Sequence, residues 1–337
     1  MKLTRIFVPL VASMVLYSCA SNNLSYEGKA FKNAYASIKA EELKKNLSVI
    51  ASDEMQGRDT GSEGQKKAGK YMIDFYKNIG VSYPKVLGSY YQTVPKEALK
   101  SRGKELPESE NILAFIEGTE KPEEIIVVSA HYDHVGTKDG VVYNGADDDG
   151  SGTVAVMEIA EAFQQAKKAG KGPKRSILFL HVTGEEHGLL GSKYYADYPV
   201  YDMKNTVVDL NIDMIGRSDK ENEGKNYVYV IGSEMLSSEL KVINEAANKI
   251  THNLELNYKY DDPKDPMRLY YRSDHYNFAK SGVPVAFYFD GIHADYHQPT
   301  DDVDKIDFPL LQKRAQLVFA TAWELANRKD RIVVDKK

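Results

Sequence analysis

Five short segments of the chain hold residue types that could do chemistry together. The first is Ser129-Ala130-His131-Tyr132-Asp133-His134, at the end of an apolar run. In an extended chain His131 and Asp133 point to the same side. An imidazole that binds a metal usually gives its other ring proton to a carboxylate, and this spacing provides both partners. The second segment, residues 144–152, sets Asp147, Asp148 and Asp149 between glycines just before a helical stretch. Such a loop suits a calcium ion, a solvated turn or a helix cap. A middle aspartate in a tight loop also suits a carboxylate shared by two cations. The third is Thr183-Gly184-Glu185-Glu186-His187-Gly188. Adjacent glutamates repel unless something positive is near; one can bind a metal while the other acts as a base on water. The fourth, Asn211-Ile212-Asp213-Met214, places a carboxylate inside an otherwise apolar strand, which is costly unless it is paired or metal-bound. The fifth, residues 295–301, carries Tyr296 and His297 just before a Pro turn. Together they supply two histidines and at least three carboxylates, a hard-to-borderline donor set suited to zinc, with manganese or cobalt as substitutes.

The surrounding pattern explains how distant segments could meet. Helical spacing covers residues 40–51, and Ser62 can cap a second helix that stops at Gly80. Buried strands are expected at 111–116, 124–130, 175–182, 206–214, 227–231 and 283–289, with helices at 151–168, 237–250 and 310–327. Continuous apolar runs such as Ile125-Ile126-Val127-Val128 suit central strands covered on both faces. Strands alternating with helices predict an α/β fold: a mixed, largely parallel central sheet with helices on both faces, a three-layer sandwich. In open α/β sheets ligands bind beyond the carboxyl ends of the strands, where four of the five segments fall.

A formal charge of -5 gives no basic footprint, so nucleic acid is not expected as a partner. Cys19 is the sole cysteine, which excludes a disulfide within the chain and any cysteine-ligated metal. It follows Lys2, Arg5 and an apolar stretch at 6–16 that is too short to span a membrane. This resembles a bacterial lipoprotein signal: a peptide 1–18 removed on export, a lipid on Cys19, a polar tether 19–34, and anchoring in the cell envelope on a periplasmic or outer-membrane face. One catalytic domain is expected over residues 35–330.

The order His-x-Asp, Asp in a Gly/Ser loop, Glu-Glu, Asp, then His before Pro-Thr-Asp resembles the co-catalytic zinc aminopeptidases. That group includes bacterial leucyl aminopeptidases, with glutamate carboxypeptidase and glutaminyl cyclase as relatives. The Gly57-Arg58-Asp59-Thr60-Gly61 loop also looks like the start of such domains. The resemblance implies an exopeptidase that holds two zinc ions and removes N-terminal residues from peptides. It implies His131, Asp148 and Asp213 on one ion, with Asp148 shared by a second ion that Glu186 and His297 complete. Glu185 becomes the general base, Asp133 sits behind the His131 ring, and Tyr296 stabilises the oxyanion. His134 and His187 are expected to be loop residues or neighbours of ligands, His181 a satisfied core histidine, and Ser273-Asp274-His275 structure or pocket wall. The alternatives are a glutaminyl cyclase with one zinc, a carboxypeptidase using Arg268 or Arg272, and a non-catalytic binding relative.

Overall fold

The computed structural model describes Tyr26 and residues 28–336. Its apolar runs become one eight-stranded sheet. The strands are β1 (Tyr91–Val94), β2 (Ser109–Ile116), β3 (Lys121–His131), β4 (Arg175–Val182), β5 (Thr206–Ile212), β6 (Tyr227–Ile231), β7 (Glu255–Asn257) and β8 (Val285–Phe289). Their order across the sheet is β1-β2-β4-β3-β5-β8-β6-β7. The central four, β4, β3, β5 and β8, are mutually parallel. β2 pairs antiparallel with β4 on one side, and β6 antiparallel with β8 on the other.

Side chains alternate across the sheet. Ile126, Val128 and Ala130 of β3 enter the larger apolar cluster, whereas Ile125 and Val127 enter a smaller one on the other face. The larger layer holds α1 (Lys29–Ser37), α2 (Ala40–Ile50), α3 (Glu63–Ile79), α4 (Gly152–Lys168), α6 (Leu240–Ile250) and α8 (Phe308–Asn327). The smaller holds α5 (Leu190–Asp197) and α7 (His275–Lys280). Local signals set the helix ends. Ser62 Oγ accepts from the Gln65 amide at 3.2 Å to start α3, and Gly80 ends it at φ 82°. Asp307 caps α8 through the Leu310 amide at 3.0 Å.

The stretch expected as a tether over 19–34 is helical from Lys29. Phe31 packs against Phe319 and Trp323 of α8, so α1 belongs to the packed body. At the other end Ile332 is buried in the same cluster, beyond the expected limit at 330. Residues 1–18 and Cys19 lie outside the described residues. Lys29 and Phe31 border one surface groove with Thr119, Glu120 and Lys174, at the amino ends of β3 and β4.

The register lines up the opposite ends. His131 pairs with Val182, Ser129 with Asn211, and Ile212 with Tyr288. The segments that follow β3, β4, β5 and β8 therefore emerge along one edge.

Candidate metal centre

His131 is the last residue of β3, and its ring is fixed by the chain just past it. Nδ1 donates to the Asp133 main-chain carbonyl at 3.0 Å, while the Asp133 carboxylate is 3.8 Å away. The carbonyl, rather than the carboxylate, is thus the nearer partner of the ring. The Asp133 carboxylate instead accepts from Thr60 Oγ1 at 3.1 Å and from the Glu185 amide at 3.2 Å. The free edge of the ring, Nε2, lies 3.3 Å from Asp148 Oδ1, 3.6 Å from Asp213 Oδ1 and 4.0 Å from Glu185 Oε2.

The three successive aspartates divide the labour. Asp147 accepts from the Gly216 amide at 2.6 Å and sits 3.1 Å from His293 Nε2. Asp149 accepts from the amides of Gly152, Met214 and His131, tying the loop to the ends of β5 and β3. Asp148 is left to face the cluster, and its amide is held by Asp301 at 3.1 Å. The peptide bond between Asp148 and Asp149 is cis. The two oxygens of Asp148 part company: Oδ1 turns to His131, and Oδ2 is 3.0 Å from His297 Nε2 and 3.7 Å from His134 Nδ1.

Glu186 completes the second side. Its Oε1 is 2.9 Å from His134 Nδ1 and its Oε2 is 3.0 Å from His297 Nε2. His297 has φ 56° and stacks on Tyr296 with ring centroids 4.0 Å apart. Asp213 lies just past the end of β5, not inside the strand as its apolar neighbours suggested. There its Oδ2 accepts from Ser273 Oγ at 2.6 Å, which in turn accepts from Asn211 at 2.9 Å.

The expected metal positions His131, Asp148, Glu186, Asp213 and His297 are therefore brought into one cluster, with Glu185 and Tyr296 beside it. Among the described residues, two sets of three have ligand atoms all within 4.8 Å of one another: His131, Asp148 and Asp213, and His134, Asp148 and Glu186. The donors fit a cation. His131 Nε2, Asp148 Oδ2 and Glu186 Oε1 are buried without any hydrogen-bond partner, an arrangement that is costly unless a cation meets them. Electrostatics agree. Burial opposes charge on Asp148, yet the imidazoles of His131 and His297 hold its carboxyl well below the ordinary range. Burial likewise pulls His297 down, but Asp148 and Glu186 outweigh it and raise the imidazole to about 10. Burial pushes Glu185 well up, and Asp213, Asp274 and Glu186 push the same way against His131.

Two parts of this frame give only weak signals in the sequence. His134 was expected as a loop residue or neighbour of a ligand, and it is a fully buried ring facing Glu186. Arg58 reads from the sequence only as part of a turn-rich loop that resembles the start of zinc aminopeptidase domains. Its guanidinium is buried and donates to the carbonyls of Tyr132, Ile50, Asn144 and Gly145, which pins the His131 loop to the Asp148 loop. Gly57 beside it admits no side chain, since a Cβ there would sit 2.3 Å from the Gly136 carbonyl oxygen. The glycine-arginine pair in a polar loop was the available signal. Of the other histidines, His181 bonds Tyr76 at 2.6 Å and His293 bonds Asp147, whereas the buried His275 ring stacks on Phe287 with neither nitrogen hydrogen-bonded.

Comparison with known proteins places this geometry. The model of peptidase family M28 matches residues 111–322. A probable leucine aminopeptidase of Arthroderma otae is 31% identical over 222 residues, which are 64% of this chain and 57% of that protein. Curated relatives of this kind are thus matched over little more than half their length. In structure, the LapA aminopeptidase of Legionella pneumophila superposes with TM-score 0.70 at 19% identity, over 97% of this chain and 81% of its own. The glutaminyl cyclase of Porphyromonas gingivalis superposes with TM-score 0.66 at 18% identity, over 84% and 97%. A fold common to two different activities selects neither. The family pattern spans the segments that build the cluster, and the chain belongs to peptidase family M28.

Proposed function

We propose that the protein is a two-zinc exopeptidase that removes residues from the N-termini of peptides. The observation that carries this reading is Asp148, whose two carboxylate oxygens face separate groups of donors. In this reading His131, Asp148 and Asp213 hold one ion, and Asp148, Glu186 and His297 hold the other. A zinc pair so held supplies Lewis acidity, which lowers the pKa of a water and polarises the scissile carbonyl. Glu185 reaches into the same recess, and its amide is fixed by Asp133. Its carboxylate takes the proton of the attacking water and passes it to the leaving amine. Tyr296 also lines the recess and offers its hydroxyl to the developing oxyanion.

The recess also supports a substrate class. Met214, Leu269, Phe287, Phe289 and Ile292 form an apolar wall next to the carboxylates of Asp148 and Asp213. Such a wall suits an apolar first side chain, and the acidic mouth suits a free ammonium. A single-zinc cyclase has no use for a second group of donors around Asp148. Arg272 also borders the recess and is exposed, which favours a carboxypeptidase as the second reading.

The test is a peptide pool, half with free and half with acetylated N-termini, incubated with zinc-loaded protein and followed by mass spectrometry. Stepwise loss from free N-termini only is expected, fastest for apolar first residues. Glu185→Gln should lose about 10²–10⁴-fold in rate while keeping its zinc. Loss from C-termini would replace the reading with a carboxypeptidase, and ammonia loss from N-terminal glutamine would replace it with a cyclase.

Export and lipid attachment at Cys19 are part of the same proposal, supported by the signal-like pattern of residues 1–19. Labelled fatty acid should be incorporated by the full-length chain and not by Cys19→Ala; equal labelling would refute it.

A further inference from the structure

We infer that His134 is a fourth protein ligand of the ion held by Asp148, Glu186 and His297, so that this half of the centre is closed and tight while the half at His131 and Asp213 is open and exchangeable. The inference rests on the two-zinc reading and adds a donor to it.

His134 stands at the cluster, its ligand atom and those of Asp148 and Glu186 all lying within 4.8 Å of one another. Its ring is buried, and neither ring nitrogen has a hydrogen-bond partner. Nδ1 lies 2.9 Å from Glu186 Oε1, but off the alignment of a hydrogen bond. Two unpartnered, buried donor atoms so close together are placed to meet a common cation. His297 faces the same carboxylate from the other side, with its ring edge-on to His134 and centroids 5.7 Å apart. The place for the ring is built into the fold. A Cβ on Gly145 would come within 2.4 Å of His134 Cγ, so only glycine leaves the space. The His134 amide donates to the Arg58 carbonyl at 3.2 Å, which sets the loop that carries it.

Donor counts then differ between the halves. One side has two imidazoles and two carboxylates. The other has one imidazole and two carboxylates, and Asp213 there already accepts from Ser273. Zinc with four protein donors is typical of closed structural sites, and zinc with three keeps a position open for water or substrate. The open half also borders the recess, through Asp148, Glu185 and Asp213.

The test compares wild type, His134→Ala and His134→Asn after loading with zinc or Co(II). Bound metal is counted by mass spectrometry during dialysis against rising chelator. Wild type should release one equivalent readily and retain the other. In His134→Ala the retained equivalent should weaken by more than about 100-fold, beyond the ~10–100-fold typical of residues that only orient a ligand, and the labile one should be unchanged. Asparagine keeps an N–H, so full retention in His134→Asn would reduce His134 to a residue that positions Glu186, and retention in both variants would overturn the inference entirely. Should the variants not fold, Co(II)-loaded wild type decides by NMR. Three exchangeable, hyperfine-shifted imidazole N–H signals support ligation by His131, His134 and His297; two refute it. A wild type that binds one ion refutes the two-zinc reading itself; with that ion at Asp148, Glu186 and His297, two imidazole N–H signals support ligation by His134 and one refutes it.

Discussion

Buried acids are handled in opposite ways at the edge of the sheet and in its interior. Inside, each stands alone with one polar partner. Glu158 on α4 accepts from Asn46 at 2.8 Å, and Asp209 in the middle of β5 accepts from Ser129 at 2.7 Å. Burial pushes both carboxyls up to about 8, so the protein keeps them neutral near pH 7. At the carboxyl ends of the same strands Asp148, Glu186 and Asp213 are crowded among imidazoles, with ligand atoms left unpartnered. Burial of a carboxylate is therefore not what marks a site. The mark is crowding that no set of hydrogen bonds resolves, held in place by residues with no chemical task of their own.

Arg58 is the strongest test of that comparison. Arg58→Ala leaves four buried carbonyls without their donor and should cost about 3–4 kcal/mol in urea unfolding. The same variant should retain less zinc, because the His131 and Asp148 loops lose their common pin. A loss below about 1 kcal/mol would show that the cluster holds its shape unaided.

A smaller effect is expected in the interior. Glu158 has a folded pKa of about 8 against an ordinary 4.5. The stability it contributes is complete below pH 4.5 and disappears as pH rises through about 8. Glu158→Gln should match wild type at pH 5 and be clearly the more stable at pH 9. Equal stability at both pH values would mean that this carboxyl is not held neutral, and the contrast with the site would fail.

Much of this was legible in the chain because periodicity and composition are local. The apolar strands at 175–182 and 227–231 stand where their patterns placed them. The edge strands Tyr91–Val94 and Glu255–Asn257 were not seen, being short and polar on one side, and stabilised by neighbours rather than by their own residues. The helix Lys29–Ser37 was missed for a related reason: its polar composition hides Phe31 and Ala34, whose burial depends on α4 and α8. At the site, the segments could be named from residue types, but residue type alone does not choose among three successive aspartates. The Asp147 and Asp149 side chains are taken up by the Gly216 and Met214 amides, and Asp301 holds the Asp148 amide, all from loops far off in sequence. His134 escaped because a histidine after a ligand reads as an ordinary loop residue until the space over Gly145 is known.

The direction of β3 has a spatial consequence. Its first residue stands beside the groove where Lys29 and Phe31 lie, and its last is His131. Eleven residues of strand separate the two by roughly 30 Å. The recess with its donor cluster thus lies at the opposite pole from Lys29 and Phe31. Under the proposed lipid attachment at Cys19, the recess would then face away from the anchoring surface.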